Sequence, residues 1–187
     1  MDPITVLPLL GSLREASYNR LVVRAARELA PDGMTIAEHP DLREIPPYNQ
    51  DALDAEGYPA SVVALRESIA RADAVLFVSP EYNYSIPGVL KNAIDWASRG
   101  ADQPFKGKPA SVMGASPGLV GTARMQYHLR QVLVFVEMFP VNKPEVIINQ
   151  VSTRFDETGK LTDEATAKVI RGHLEALDAW TRRLGAR

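Results

Sequence analysis

No cysteine occurs among the 187 residues. Disulfides, thiolate nucleophiles, cysteine-ligated zinc and iron–sulfur clusters are thereby excluded, so any redox chemistry has to ride on a bound cofactor. An excess of charge of either sign is missing as well, since 21 basic and 23 acidic side chains leave a net charge of −2. Without a run of like charges the chain lacks the footprint of a nucleic-acid binder or of a protein drawn to an anionic membrane, and neither partner is expected. Long hydrophobic runs are absent too. The densest, Val132 to Val136, stops at Glu137, far short of the roughly 20 residues of a membrane-spanning helix. The opening stretch to Leu10 has Asp2 where a secretory leader would be basic, and prolines at 3 and 8 interrupt it. It reads as a strand, and a soluble cytoplasmic protein is expected. Three histidines, His39, His128 and His173, fall in different predicted elements. No metal site is expected among them, only surface or packing roles.

What is present is enough apolar residue, 45%, for one sizeable core, and the length predicts one domain spanning 1–187. Apolar runs alternate with segments of helical period, the pattern of strand–helix–strand units around a parallel sheet. Strands are predicted at Ile4 to Leu10, Met34 to Glu38, Ala74 to Val78, Ala110 to Gly114 and Glu145 to Asn149. Helices are predicted at Tyr18 to Leu29, Ser61 to Ala72, Pro87 to Ser98, Thr122 to Phe135 and Thr162 to Leu184. Thr162 is the expected cap of the last helix, with Arg182, Arg183 and Arg187 suiting the dipole at its far end. Five such repeats in a short chain favour an α/β fold of flavodoxin-like, doubly wound type, a five-stranded parallel sheet of order 2-1-3-4-5 with helices on both faces. Ligands of such sheets sit beyond the carboxyl ends of the strands.

Three loops at that end carry chemistry. After the first strand, Gly11 to Arg20 supplies hydroxyls at Ser12 and Ser17, a guanidinium at Arg14 and an amide at Asn19. A helix N-terminus with such donors suits a single phosphate monoester. It matches neither the P-loop nor the G-x-G-x-x-G fingerprint, because Gly11 is its only glycine. The plainer alternative makes Ser17 a helix cap and Arg14 a solvated charge. After the third strand, Pro80-Glu81-Tyr82-Asn83-Tyr84-Ser85-Ile86-Pro87 sets rigid backbone beside flat rings, which suits a planar heterocycle, or else a stiff turn covering the core. After the fourth, Gly114, Gly118 and Gly121 surround Ser116 and let backbone approach a ligand closely. Together they describe a phosphate cradle, a ring-binding wall and an amide-rich floor.

Four stretches carry a resemblance: Gly11-Ser12-Leu13-Arg14 through Asn19, Pro80 to Gly88, Leu90-Lys91-Asn92-Ala93-Ile94-Asp95-Trp96, and Gln126-Tyr127-His128-Leu129-Arg130. They resemble the NAD(P)H-dependent FMN reductases, in particular the quinone and chromate reductase branch. The resemblance implies a flavodoxin-like fold, tightly held FMN and NAD(P)H as co-substrate. Small-molecule oxidants such as quinones, chromate, azo compounds or free flavin would be reduced in two steps, hydride passing to the flavin and then to the acceptor, with no catalytic acid or base. Carried onto this chain, Ser12, Arg14, Ser17 and Asn19 would hold the FMN phosphate. Pro80, Glu81, Tyr82 and Asn83 would line the ribityl chain and ring, and Ser116 and Gly118 would close the ring's polar edge. A homodimer or homotetramer is also implied, with Tyr84, Arg124, Tyr127 and Glu145 near the contact; the apolar excess of Arg124 to Glu145 points the same way. The long segment from His39 to Gly57 reads as a lid contributing Tyr48 and Asn49 to the acceptor pocket, or as a cover over the sheet edge or a subunit contact.

Among rivals, a non-catalytic flavodoxin-like electron carrier would need a one-sided field that a net charge of −2 does not supply. A cofactor-free phosphate- or nucleotide-binding scaffold would be colourless. An NAD-only dehydrogenase would need the missing pyrophosphate fingerprint.

Overall fold

The structure is a computed structural model describing residues 2–185, so the predicted part of Arg187 in closing the last helix lies outside the described residues. The elements run β1 (Ile4–Leu10), α1 (Tyr18–Leu29), β2 (Met34–Ile36), α2 (Gln50–Glu56), α3 (Ala60–Arg71), β3 (Ala74–Val78) and α4 (Gly88–Ala97). They continue with β4 (Pro109–Ala115), α5 (Ala123–Phe135), β5 (Phe139–Pro140), β6 (Val146–Ile148) and α6 (Glu164–Gly185). All strands are parallel, in the order β2-β1-β3-β4-β5. The predicted doubly wound sheet is therefore present.

Its outer strand differs from expectation by being split. β5 pairs with Pro109 and Ala110 at the start of β4, and β6 pairs with Met113 to Ala115 at its end. Prolines at 140 and 144 offer no N–H for a ladder, so one continuous edge strand cannot form between them. Pro8 is tolerated inside β1 for a related reason. Even-numbered residues of β1 face β2, since Ile4 N donates to Gly33 O and Val6 O accepts from Ala37 N. β2 ends at Ile36, and Ala37 O, which an N–H at position 8 would have faced, accepts from Arg27 Nη2 at 2.8 Å instead.

Alternation along the strands feeds two cores. Leu7, Leu9, Val75, Phe77 and Val112 pack against α3, α4 and α5 on one face, while Val6, Leu10, Leu76, Val78 and Met113 pack against α1 and α6 on the other. Each face follows from the period of two along a strand meeting the helical period of 3.6. The N-cap of α6 falls one residue later than predicted: Asp163, rather than Thr162, accepts from Thr166 N at 2.8 Å, while Thr162 is spent on Arg154 O.

α6 also carries a buried polar latch. His173 is fully buried, one ring nitrogen facing the Ser111 hydroxyl on β4 and the other the Pro144 carbonyl. A carbonyl only accepts, so Nδ1 carries the proton and Nε2 accepts from Ser111. Burial pushes the imidazole below its ordinary value of 6.5, the Pro144 contact opposing and the Arg130 charge adding a little. The unfolded chain therefore takes up a proton at this residue while the folded chain refuses it. Stability is expected to be full above about pH 6.5 and to fall as the pH drops below it. Urea unfolding at about pH 7.5 and about pH 5.5 checks this. The His173→Gln variant should lose much of the difference; an unchanged difference would remove His173 as its source.

Candidate functional site

β1, β3 and β4 end side by side, and their carboxyl ends are knitted by Gly11 N to Val78 O at 2.9 Å and Ser79 N to Met113 O at 3.1 Å. Buried Ser79 stands between two glycines. A Cβ at Gly11 would lie 2.1 Å from Ser79 Oγ, and one at Gly114 would lie 2.2 Å from Thr122 Oγ1 and 2.5 Å from Ser79 O. Glycine at both positions is thus what lets three strand ends and the start of α5 close into one floor.

The loop after β1 delivers two kinds of side chain. Ser17 is the N-cap of α1, its hydroxyl accepting from Asn19 N at 3.2 Å, and Ser12 Oγ accepts from Arg14 N at 3.4 Å. Both hydroxyls are buried donors with a hydrogen still to place. Arg14 is exposed, and among the described residues no carboxylate lies within ion-pair distance of it. Arg20 Nε fixes the Arg14 carbonyl at 3.1 Å and Arg43 pairs with Glu15, so Arg14 is the free cation of this loop. Asn19 does something else. Its amide donates to Ala115 O and accepts from Ala115 N, both at 3.0 Å, completing the open ladder of β4 as another strand would. It fastens the first loop to the third from a buried position.

After β3 the chain makes a two-residue hairpin. Tyr82 N donates to Ser85 O, Ser85 N returns to Tyr82 O, and Asn83 and Tyr84 between them have φ of 51° and 67°. That is the geometry of a type I′ turn, easy for asparagine and strained for tyrosine. Tyr82 and Tyr84 are 47% and 68% exposed, so neither covers the core. Glu81 turns inward instead. Its side chain is 8% exposed, capping Met125 N at 3.0 Å and pairing with Arg124 at 3.2 Å, and the Arg124 guanidinium lies 3.8 Å from the centre of the Tyr84 ring. Since Thr122 makes no side-chain cap, α5 takes its N-terminal carboxylate from this neighbouring loop. Nothing in the sequence marked that pairing, because capping across loops has no fixed spacing. Pro80 is buried beneath, its carbonyl accepting from Ser79 Oγ at 2.9 Å.

The loop after β4 is held by its own backbone. Ser116 N donates to Ile148 O, Gln150 N and Gly121 N both donate to Gly118 O, and Ser116 Oγ accepts from Gly118 N at 3.1 Å. Gly121 has φ of 63°, a left-handed conformation that glycine adopts without steric cost. All ten residues expected at the site therefore sit at this end of the sheet, with Asn19 and Glu81 turned to holding loops together.

The long segment beyond β2 is ordered and contains α2, which the sequence reading missed. Asn49 caps it by accepting from Asp51 N, and Gly57 ends it at φ of 78°. Only Leu53 packs toward the core, too little for a periodic signal. Tyr48 turns its ring edge to Trp96 at 4.9 Å. Asn92 Nδ2 and Trp96 Nε1 each donate to Pro46 O at 2.8 Å, and Tyr48 N donates to Asn92 Oδ1. The Leu90-to-Trp96 motif is therefore a clamp for this segment. Tyr48 thus packs on α4, and the Asn49 side chain is spent on the cap of α2.

A depression of about 750 Å³ at the opposite end of the sheet has its cations already engaged. Lys108 Nζ caps the carbonyls of Ala70 and Ala72, burial holding it below its ordinary value, and Lys106 pairs with Glu137.

Residues 4–153 match the model of a protein family, the NADPH-dependent FMN reductases. The chain belongs to that family. This FMN reductase is 54% identical over 183 residues to an NAD(P)H-dependent FMN reductase of Pseudomonas aeruginosa, covering 98% of each chain. It is 45% identical over 184 residues to a quinone reductase of Escherichia coli K12, again covering 98% of each. Among solved structures it is similar to FerB, a flavoenzyme NAD(P)H:(acceptor) oxidoreductase from Paracoccus denitrificans, with a TM-score of 0.87 at 38% identity over 96% of this chain and 98% of that one. The residues fit FMN: an unengaged guanidinium beside a helix N-terminus suits its phosphate, and a rigid turn presenting two exposed tyrosines beside glycine-rich backbone suits a flat ring. Among the described residues no group of acidic or histidine side chains could hold a metal, and no helix is long and apolar enough to cross a membrane.

Proposed function

We propose that this protein is a single-domain, FMN-dependent NAD(P)H oxidoreductase that reduces quinones, and by the same route other small oxidants such as chromate, azo compounds or free flavin, in a ping-pong cycle. The observation that carries the reading is the placing of the unengaged Arg14 loop and the left-handed Tyr82 to Ser85 turn at one end of the same sheet. Relatives named FMN reductase and quinone reductase over nearly the whole chain support it. When bound, FMN supplies the two-electron chemistry, taking hydride from the nicotinamide and yielding it to the acceptor.

The protein's work is then binding and orientation. Arg14 and the hydroxyls of Ser12 and Ser17 would hold the phosphate, with Asn19 keeping their loop against Ala115. Pro80, Tyr82 and Asn83 would line the ribityl chain and ring, with Glu81 fixing the wall to α5. Ser116, Gly118 and their backbone would bound the ring's polar edge. No protein acid or base is needed, and one pocket serves nicotinamide and acceptor in turn. The reading includes a homodimer or homotetramer, for which the exposed Tyr127, Val134, Phe135 and Phe139 speak, and a cytoplasmic setting where reduced nicotinamides are generated.

An absorbance spectrum of the purified protein, followed without oxygen by NADH or NADPH and then a benzoquinone, tests this. Yellow protein that bleaches and recovers is expected. Colourless protein that takes up no added FMN would defeat the site assignment, and flavin that neither nicotinamide bleaches would favour the electron carrier.

A further inference from the structure

We infer that His128 is a positioning residue for the ring wall, acting through the hydroxyl of Ser85. The inference rests on the functional reading above. His128 Nδ1 lies 2.8 Å from Ser85 Oγ, and Ser85 is the residue whose N–H and C=O close the Tyr82 to Ser85 turn. A type I′ turn is stable by itself when glycine takes a left-handed position, as in Asn-Gly. Here the pair is Asn83-Tyr84, and a tyrosine at φ of 67° persists only where its surroundings enforce it.

The surroundings come from one helix. At the opening end of the turn, Glu81 is tied to Met125 N; at its tip, Arg124 lies against the Tyr84 ring. His128 follows Arg124 by one helical turn on the same face of α5, and it alone among the described residues takes the closing end by a side-chain hydrogen bond. The other polar members of the Gln126-to-Arg130 stretch face elsewhere: Gln126 binds Val146 O, Tyr127 binds Glu145 and Arg130 binds Val141 O. His128 is therefore the member of that motif directed at the site. It is exposed, so its removal opens no cavity and its effect should appear in presentation of the ring wall, not in the core.

The test uses the FMN-loaded protein, with NADH and a benzoquinone as substrates, and reads kcat, KM, melting temperature and the visible circular dichroism of bound flavin. His128→Ala is expected to lower kcat/KM for the quinone about fivefold, the scale of one lost hydrogen bond. The flavin dichroism should change and the melting temperature should hold. His128→Asn, which keeps a polar group near the Nδ1 position, should restore most of the loss. Ser85→Ala should reproduce it, and the double alanine variant should be no worse than either single one. Wild-type kinetics and dichroism in His128→Ala, or defects that multiply in the double variant, would overturn the inference. If His128→Ala does not fold, Ser85→Ala decides: wild-type values overturn the inference, the fivefold loss upholds it. Failure of the underlying reading is distinguishable, because the wild-type protein would then show no flavin band and both would fall.

Discussion

Replacing Arg14 with alanine is expected to weaken FMN binding by roughly 10- to 100-fold and to give a protein that purifies without colour. A charge-assisted hydrogen bond to phosphate contributes about 1.5–3 kcal/mol, and Arg14 is the guanidinium of its loop that no carboxylate engages among the described residues. Arg20 and Arg43 cannot substitute for it while Glu15 and the Arg14 carbonyl occupy them. The exposed side chain makes no packing contribution that the fold needs, so the melting temperature of the flavin-free protein should match that of the flavin-free wild type. Arg14→Lys should recover only part of the affinity, because an ammonium keeps the charge but loses the planar fork. Flavin fluorescence titration measures all three. An unchanged dissociation constant in Arg14→Ala would remove the first loop from the phosphate site.

Gly114→Ala is expected to destabilise the protein by about 3 kcal/mol, the upper range for forcing one extra carbon into a packed interior. In a chain of this length that corresponds to a fall in melting temperature of roughly 6–12 °C. The added Cβ would meet Thr122 Oγ1 at 2.2 Å and the Ser79 carbonyl at 2.5 Å, one at the start of α5 and one in backbone just beyond β3. Neither can swing away, since Thr122 is fully buried and Ser79 N is bonded to Met113 O. Relief would have to part the ends of β3 and β4 from α5, so flavin binding should weaken along with stability. Gly118→Ala is the contrast, because its nearest neighbour would be Ser116 Oγ at 3.5 Å, an ordinary contact. It should melt within about 2 °C of the wild type. Equal effects from the two substitutions would show that close approach at Gly114 is not what shapes the floor.

Reading the chain located the strands and most helices because both signals are local and repeated. Ala74 to Val78 is five apolar residues in a row, and α1 places Val22, Val23, Ala25 and Ala26 on its buried side. Where a signal was short or shared with another segment, it failed. α2 has one inward apolar residue, β5 has two residues, and the N-cap of α6 lay one position from the equally suitable Thr162. The roles of Asn19 and Glu81 show a further gap. Each is a polar residue in a ligand-type loop by sequence, yet each closes a hydrogen bond with a segment more than forty positions away.

Pattern along the chain, then, is sufficient for the parallel sheet and its order and for three loops at its carboxyl end whose chemistry suits a phosphate and a flat ring, since hydrophobic period and side-chain chemistry are properties of neighbours in sequence; FMN itself follows from the family resemblance. Which of those polar side chains face a ligand and which hold the loops together depends on contacts between distant segments. Ala115 leaves a backbone N–H and C=O that Asn19 satisfies, α5 begins without a cap that Glu81 supplies, and Ser85 closes a strained turn within reach of His128. Buried backbone groups must find partners, and which side chain meets them is decided only when the strands, helices and loops have come together.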